Sequence, residues 1–241
     1  MNKKMKIVSF NIHHGEGLDE VLSLERVAKV AKETEADIFA LQEVDRFFGD
    51  RSNHEDQPKK LSERLGLHYA YGPNLVLPQE GKADNSEYGN ATLSKYPIIE
   101  SENILLTSFD SEPRGVLRIC INSGETKLNI FNTHLSLEKD IKLVQVKELA
   151  RIMSRFSGPK ILLGDFNSPP EGEEIKRLVD STGFLDCFKG SENIYTYPAD
   201  DPNEKLDYVF VSPEMIIEDQ KIIKSDASDH LPIMVKLEIK Q

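Results

Sequence analysis

Short runs of apolar residues recur along the chain, and several of them alternate with polar residues. A two-residue period is typical of β-strands with one buried face, and short unbroken apolar runs are typical of strands buried on both faces. Such runs predict strands at residues 6–10, 37–41, 88–94, 98–106, 116–121, 128–133, 160–163, 206–211 and 233–239. We expect the strands at 88–94 and 98–106 to pair through a turn at 95–97.

Apolar residues at helical spacing predict four helices between these strands. The first helix is expected to begin after an N-cap at Ser23, with Leu24, Val27, Ala28 and Ala31 on its apolar face. The second is a short helix around Leu61 and Leu65. The other two are expected at 138–155 and at 173–180. Residues 44–57 are predicted to form a polar loop. A longer loop is predicted at 72–89, where substrate choice would be set.

The balance of these elements predicts an α+β fold. Strands outnumber helices, and few of them are joined by the helical crossovers that parallel strands require. We therefore expect mostly antiparallel or mixed sheets with helices on the outside. The 241 residues contain no linker-like or low-complexity segment, so we predict a single domain over residues 1–241.

The formal net charge of −11 bears on possible partners. Tight nonspecific binding to nucleic acid usually needs a positive face, so this charge argues against a nucleic-acid scaffold. An acidic enzyme can still bind a phosphate through a bound cation. We expect Cys120 and Cys187 to be buried free thiols.

Neither a signal peptide nor a membrane span is predicted. The start of the chain has a basic pair but no apolar stretch of signal-peptide length, and is predicted to be the first strand. No segment approaches the ~20 apolar residues that span a bilayer. We expect a cytoplasmic monomer.

Polar residues able to bind a cation or a phosphate stand where predicted strands begin or end. They are Asn11, Glu43, His134, Asp165 with Asn167, Asp207, and Asp229 with His230. Burying four carboxylates and two imidazoles together is costly unless a divalent cation compensates, and oxygen ligands suit Mg²⁺ or Mn²⁺. A metal with acid and base residues can activate water, neutralise a phosphoryl group and stabilise a leaving oxygen. The set therefore predicts hydrolysis of phosphate esters.

The segment at residues 161–170 carries the strongest single signal. A buried strand stops at Gly164, and Asp165 and Asn167 follow two positions apart. Alternation along an extended chain would turn both side chains to the same side. Two prolines at 169 and 170 then end the strand.

At these residues the chain resembles the endonuclease/exonuclease/phosphatase superfamily, which has a deoxyribonuclease-I-like fold. The resemblance covers nearly the whole chain, in the family order. It is carried by Ser-Phe-Asn-Ile at 9–12, Leu-Gln-Glu-Val at 41–44, Gly-Asn-Ala-Thr-Leu-Ser-Lys-Tyr-Pro-Ile at 89–98, Asn-Thr-His-Leu at 132–135, Gly-Asp-Phe-Asn-Ser at 164–168, Leu-Asp-Tyr-Val-Phe at 206–210 and Ser-Asp-His-Leu-Pro at 228–232. It implies a four-layer α/β/β/α sandwich and a Mg²⁺- or Mn²⁺-dependent phosphoesterase with its site at one edge.

The resemblance also implies roles for the metal ligands. Glu43 corresponds to the principal ligand, and Asn11 lies beside it in the metal and phosphate shell. Asp229 corresponds to a carboxylate near the metal.

The catalytic roles follow from the same resemblance. Asp165 would position or deprotonate the attacking water, and Asn167 would hold a phosphoryl oxygen. His230 would be the acid/base or phosphate-contacting imidazole, oriented by Asp207. His134 would stabilise charge on the phosphoryl oxygens or the leaving group. Whether Asp165 or His230 takes the proton of the water stays open.

The chain departs from the family pattern at His13. Apurinic-site endonucleases of this fold usually carry Asp there, so abasic-site DNA repair is disfavoured. His13 either contacts phosphate or metal or lines the cleft. Asn90, Arg114 and Arg51 are further candidates for substrate binding, with a solvated loop charge as the alternative for Arg51.

Several substrate classes remain open. The expected substrate is a phosphodiester or phosphomonoester, in nucleic acid, a phospholipid headgroup or a small metabolite. The alternatives are a DNA endonuclease or exonuclease, a sphingomyelinase-like phospholipid phosphodiesterase, and a binding protein that has kept the fold but lost catalysis.

Overall fold

The computed structural model describes residues 4–81 and 84–240 of the chain. These residues contain four helices, α1 Leu24–Thr34, α2 Gln57–Leu65, α3 Lys139–Met153 and α4 Glu173–Thr182. The strands are β1 Lys4–Asn11, β2 Ile38–Arg46, β3 His68–Leu77, β4 Ser86–Ser94, β5 Ile98–Leu106, β6 Arg114–Ser123, β7 Thr126–His134, β8 Lys160–Asp165, β9 Leu185–Asp186, β10 Asp207–Val211, β11 Met215–Ile222 and β12 Ile233–Ile239. Among the described residues, no helix is both long and apolar enough to cross a membrane.

The strands form two six-stranded mixed sheets. The order is β11-β12-β1-β2-β4-β3 in the first sheet and β5-β6-β7-β8-β10-β9 in the second. β1 pairs with β2 in parallel, and β7 pairs with β8 in parallel. The other neighbouring pairs are antiparallel. The prediction of an α+β sandwich with mixed sheets is confirmed.

Three apolar layers hold the sandwich together, and alternation along the strands assigns residues to them. Ile7 of β1 and Ile161 of β8 point into the core between the sheets. Val8, the neighbour of Ile7, packs with α1 under the outer face of the first sheet. Leu162, the neighbour of Ile161, packs with α3 and α4 under the second sheet. Strands buried on both faces explain the continuous apolar runs in the sequence.

The predicted pairing of the segments at 88–94 and 98–106 is wrong. β4 pairs with β2 and β3 in the first sheet, whereas β5 pairs with β6 in the second. The chain at 95–97 therefore crosses from one sheet to the other. An alternating pattern shows that a segment is extended but does not identify its partner strand.

The predicted loop at 72–89 is also largely strand. β3 continues to Leu77 through Gly72 and Pro73, and β4 begins at Ser86. Proline is tolerated because β3 lies at the edge of its sheet and its register shifts just after Pro73. A β-carbon at Gly89 would lie 2.1 Å from the carbonyl oxygen of Gly72, so these strands approach too closely for a side chain there.

Smaller differences concern element ends and two strands that, like β3, were not predicted. β2 continues to Arg46, so the predicted polar loop at 44–57 begins later and includes a short 3-10 turn at Asp50–Ser52. β11 and the two-residue β9 were not predicted, because most of their residues are polar or exposed. Cys120 and Cys187 are buried and free, as expected.

A bulge in β2 is the local feature that matters most for the site. The register between β2 and β4 shifts between Leu41 and Val44, and Glu43 adopts a left-handed conformation with φ of 57°. A bulge re-aims the side chain of its extra residue. Here it frees Glu43 from the alternation of the strand.

The buried amide of Asn132, from β7 in the other sheet, fills the space beside this bulge. Its Nδ2 donates to the carbonyl oxygens of Leu41 at 3.0 Å and Ala91 at 2.9 Å. Its Oδ1 accepts a hydrogen bond of 2.7 Å from Nε2 of Gln42. One side chain therefore ties the bulge to the facing sheet.

We expect Asn132→Leu to lower the free energy of unfolding by about 3 kcal/mol, because it leaves buried polar groups without partners. Urea unfolding followed by circular dichroism measures the change. The matched control is Asn122→Leu at an exposed position of β6, for which we expect a change within about 0.5 kcal/mol. Equal losses in the two variants would contradict a role for Asn132 as a tie between the sheets.

Candidate active site

Strand ends from both sheets meet at one edge of the sandwich. Asn11 ends β1 and the bulge residue Glu43 lies in the parallel neighbour β2, while His134 ends β7. His134 is in register with Asp165 at the end of the parallel strand β8, and Asp165 faces Asp207 at the start of antiparallel β10. The topology therefore gathers side chains that are far apart in the sequence.

The buried carboxylate of Asp165 lies at the centre of this cluster. Its Oδ2 accepts a hydrogen bond of 3.0 Å from Nδ2 of Asn11, and its Oδ1 accepts one of 2.9 Å from the backbone N–H of Asn167. Nε2 of His134 lies 3.5 Å and Nε2 of His230 3.6 Å from Oδ2. Burial raises the pKa of Asp165 to about 7, although His230 opposes the shift.

The backbone around Asp165 explains the glycine before it. Gly164 has φ of 141°, and a β-carbon there would lie 1.8 Å from the carbonyl oxygen of Thr133. β8 ends at Asp165, and Asn167 follows in a left-handed turn with φ of 48°. Asp165 and Asn167 do converge, but strand alternation, on which the sequence argument relied, is the wrong cause.

Asp207 and His230 form a buried carboxylate–imidazole pair. Nδ1 of His230 lies 2.9 Å from Oδ2 of Asp207. Burial alone would lower the pKa of His230, but the negative charges of Asp207 and Asp165 outweigh it and raise the pKa to about 10. The ring of Tyr197 packs 4.8 Å from the ring of His230. His230 is thus held as an imidazolium whose Nε2 faces Asp165.

His134 has the opposite environment. An NH1 nitrogen of Arg114 lies 3.0 Å from Nδ1 of His134 and 2.7 Å from Oε1 of Glu112. Burial and the positive charges of Arg114 and His230 lower the pKa of His134 well below its usual value. The two imidazoles of the site therefore differ in charge at neutral pH.

Glu43 opens onto a recess of about 270 Å³ beside this cluster. It is lined by His13, His14, Glu43, Phe48, Arg51, Leu75, Tyr88, Glu112 and Arg114. His13, His14 and Glu43 have φ values of 44°, 45° and 57°, a conformation that is sparsely populated outside glycine and often marks functional sites. Three of the residues predicted to bind substrate, His13, Arg51 and Arg114, are in this lining.

Arg51 is fixed at the wall of the recess. Its Nε and NH2 donate to the two carboxylate oxygens of buried Asp45 at 2.9 and 2.8 Å. Its guanidinium carbon also lies 4.1 Å from the ring centre of Phe48. Asp45 and Phe48 were not singled out in the sequence, because neither their spacing nor their residue type distinguishes them from loop residues.

Asn90 and Asp229 lie at the margins of the cluster. Asn90 is buried in β4 and its Nδ2 donates to the carbonyl oxygen of Gly115 at 3.3 Å. Asp229 is half-buried and contributes to the raised pKa of His230. Ser228, which sequence reasoning missed, donates from its hydroxyl to the carbonyl oxygen of Asn11 at 2.8 Å and so joins this loop to β1.

Two groups of side chains have the spacing needed to hold a metal ion. Ligand atoms of His13, His14 and Glu43 lie within 4.8 Å of one another. A carboxylate with two imidazoles can hold a divalent ion, since carboxylate oxygen suits Mg²⁺ or Mn²⁺ and imidazole nitrogen suits Zn²⁺, Fe²⁺ or Ni²⁺. Asn11 supports this group, because its Nδ2 donates to Oε1 of Glu43 at 2.9 Å while its Oδ1 accepts from the N–H of His13.

The second group consists of Asp165, Asp207 and His230. These residues already compensate one another by hydrogen bonding and charge, so we interpret them as groups that move protons. A larger groove of about 1160 Å³ lies beside α4 and β9 and contains none of the predicted site residues in its lining.

Comparison with known proteins agrees with the fold. The sequence profile of the Endonuclease/Exonuclease/phosphatase family matches residues 8–230. The chain belongs to this family, and the resemblance drawn from the sequence motifs is confirmed.

Individual relatives resemble the chain over most of its length. YbhP of Escherichia coli (strain K12) is 28% identical over 222 residues, which cover 86% of this chain and 84% of YbhP. An endonuclease/exonuclease/phosphatase family protein of Bacteroides thetaiotaomicron superposes with a TM-score of 0.80 at 18% identity, over 100% of this chain and 96% of that one. The mannosyl-6-phosphatase Bt3783 of the same organism superposes with a TM-score of 0.77 at 18% identity, over 97% and 99%.

We expect Asp207→Asn to lower the pKa of His230, because it removes the negative charge that contacts Nδ1. In metal-free protein, the ring signals of His230 followed by NMR from pH 5 to 10 should not titrate below about pH 8 in the wild type. In the variant they should titrate at lower pH. Asp180→Asn, at an exposed position of α4, is the control and should leave the titration unchanged. A wild-type His230 that titrates near 6.5 would refute this charge assignment.

Proposed function

We propose that the protein is a hydrolase of phosphoric esters that depends on Mg²⁺ or Mn²⁺ and uses water as the nucleophile. The observation that carries this proposal is the convergence on Asp165. Side chains or backbone of Asn11, Asn167, His134 and His230 approach this one buried carboxylate from separate segments of the chain. Family membership supports the same class of reaction.

The charge states support a division of roles between Asp165 and His230. A base works best when its pKa is near the working pH, and the pKa of Asp165 is about 7. The pKa of His230 is about 10, so His230 already carries a proton at neutral pH. We therefore propose that Asp165 acts as the base and accepts the proton of the attacking water. His230, fixed by Asp207, supplies a proton or a positive charge to the phosphate.

Other residues would hold the phosphoryl group and the metal. Asn167 and His134 lie side by side, with Nδ2 and Nε2 3.0 Å apart, and both can face a phosphoryl oxygen. Glu43 is the proposed principal ligand of the ion, with Asn11 and His13 beside it, and Asp229 is retained as a further candidate ligand. A bound divalent ion would neutralise the phosphoryl charge as the leaving oxygen departs.

The recess beside Glu43 is where the rest of the substrate would bind. Its fixed Arg51 suits an anionic or strongly polar group, and Arg114 is also in its lining, while Asn90 stays a candidate substrate contact. A phosphodiester or a phosphomonoester of a small molecule or lipid headgroup fits this lining. The mannosyl-6-phosphatase Bt3783 has the same fold, so a phosphomonoester is included among the candidates. Cytoplasmic location and a monomeric state stay predictions.

A substrate panel with Mg²⁺ separates the alternatives. Bis-p-nitrophenyl phosphate, p-nitrophenyl phosphate, plasmid DNA, an abasic oligonucleotide and sphingomyelin vesicles represent the candidate classes. Absence of DNA cleavage together with hydrolysis of the small diester would exclude the nuclease. Absence of any hydrolysis would favour the binding protein, although Glu43, Asp165, Asn167 and His230 are all present.

We expect Glu43→Gln and His230→Ala each to lower kcat on bis-p-nitrophenyl phosphate by about 100-fold or more. The first weakens the proposed metal site and the second removes an acid/base group. Steady-state kinetics on purified protein measures the loss. The controls Glu63→Gln and His68→Ala change the same residue types at exposed positions and should leave kcat unchanged. If neither active-site substitution alters the rate, the proposed site is wrong.

We expect EDTA to stop hydrolysis and added Mg²⁺ or Mn²⁺ to restore it, because Glu43 offers a hard oxygen ligand. The same assay without EDTA, repeated after buffer exchange, controls for loss of protein. Restoration by Zn²⁺ alone would contradict the predicted Mg²⁺ or Mn²⁺ site. It would indicate instead that His13 and His14 form a different metal centre.

A further inference from the structure

The contact between Arg114 and His134 constrains the position of a proton. Arg114 begins β6 and is 6% exposed, and its NH1 lies 3.0 Å from Nδ1 of His134. A guanidinium group carries N–H donors and has no acceptor, so Nδ1 must be the acceptor in this hydrogen bond. In a neutral imidazole the remaining proton is then on Nε2.

The surroundings of Nε2 leave that proton without a well-placed acceptor. Nδ2 of Asn167 lies 3.0 Å away, but it also lies 2.9 Å from the carbonyl oxygen of Leu135, to which it donates. The nearest carboxylate oxygen, Oδ2 of Asp165, is 3.5 Å away, beyond a normal N–H···O distance. Arg114 and Asn167 both present N–H donors to the ring, and a neutral imidazole has one acceptor nitrogen, so only one of these two contacts is a hydrogen bond. The charged guanidinium makes the stronger hydrogen bond, so we assign the acceptor to Nδ1.

We propose that Arg114 is a positioning residue that fixes His134 in its Nε2–H tautomer, so that this N–H is left to donate to a phosphoryl oxygen of the substrate. The phosphoryl contact rests on the proposed function, whereas the tautomer rests on the contact of Arg114 with Nδ1 and on the greater strength of a hydrogen bond from a charged donor. A buried donor without a partner costs free energy, and an incoming oxygen at this point would relieve that cost.

The way Arg114 is held agrees with a positioning role. Its backbone N–H donates to Oγ of Ser108 at 3.0 Å, and its NH1 also contacts Oε1 of Glu112. Arg114 is therefore held through its backbone and through its guanidinium group before any substrate arrives. Burial and the positive charge of Arg114 also lower the pKa of His134, which keeps the ring neutral.

The tautomer can be measured directly. In metal-free full-length protein labelled with ¹⁵N-histidine, long-range ¹H–¹⁵N correlation at pH 7 distinguishes a protonated from an unprotonated ring nitrogen. The His134 signals are those that disappear in His134→Asn. We expect Nε2 protonated and Nδ1 unprotonated in the wild type, and a population with Nδ1 protonated in Arg114→Met.

Arg118→Met is the matched control, because Arg118 is also a buried arginine of β6. Its guanidinium donates to Oδ1 of Asn129 and contacts neither imidazole of the site. We expect it to leave the His134 signals unchanged. A wild-type His134 with a protonated Nδ1 would overturn the proposal, and so would an unchanged pattern in a folded Arg114→Met. If Arg114→Met does not fold, the wild-type pattern alone decides.

Kinetics separates positioning from direct substrate binding. With bis-p-nitrophenyl phosphate we expect Arg114→Met to lower kcat by about tenfold or more with little change in KM, and Arg114→Lys, which keeps a donor, to recover part of the loss. A raised KM with unchanged kcat and tautomer would make Arg114 a substrate contact and overturn the proposal. If the wild type has the expected tautomer but hydrolyses no phosphoester, the proposed function fails and the tautomer assignment stands.

Discussion

The carboxylate of Asp165 is the group on which the site depends, because it is an ionisable group buried away from solvent. Removing a carboxylate from water is costly unless hydrogen bonds and opposite charges compensate. Asn11, Asn167 and His230 supply that compensation from three separate segments. The compensation is incomplete, since the pKa of Asp165 remains raised to about 7. A fully compensated carboxylate would be a poor base at neutral pH, so the residual penalty agrees with the role of base that we propose for Asp165.

The backbone of several site residues has an irregular conformation. Glu43, Asn167 and His13 all adopt left-handed conformations. Such conformations persist only where the surrounding structure holds them. Asn132 is one such support, because its buried amide binds the carbonyl oxygens beside the Glu43 bulge. The mixed sheets provide a rigid frame, and the site occupies the positions where that frame is interrupted.

Sequence patterns predicted the frame better than they predicted the connections. Apolar runs located nine strands and the two-faced burial of residues such as Ile161 and Leu162, because alternation directly reflects which face is covered. The same runs could not show that β4 and β5 belong to different sheets. Nor could they show that Pro73 lies inside an edge strand. The pairing of strands and the tolerance of a proline within a strand depend on contacts between distant segments, about which a local pattern carries no information.

The candidate site illustrates the same limit at the level of single side chains. Asp165, His134 and His230 were recognisable because each stands at a strand end within a characteristic motif. The charge states of the two imidazoles could not be predicted from the sequence, since they depend on which side chain faces each Nδ1. Asp207 faces one ring and Arg114 the other, at 2.9 and 3.0 Å. Two histidines in one buried cluster thereby have pKa values shifted in opposite directions, as the separate roles that we propose for them require. This division exists only in the folded chain, because the arginine and the carboxylate that cause it come from different strands.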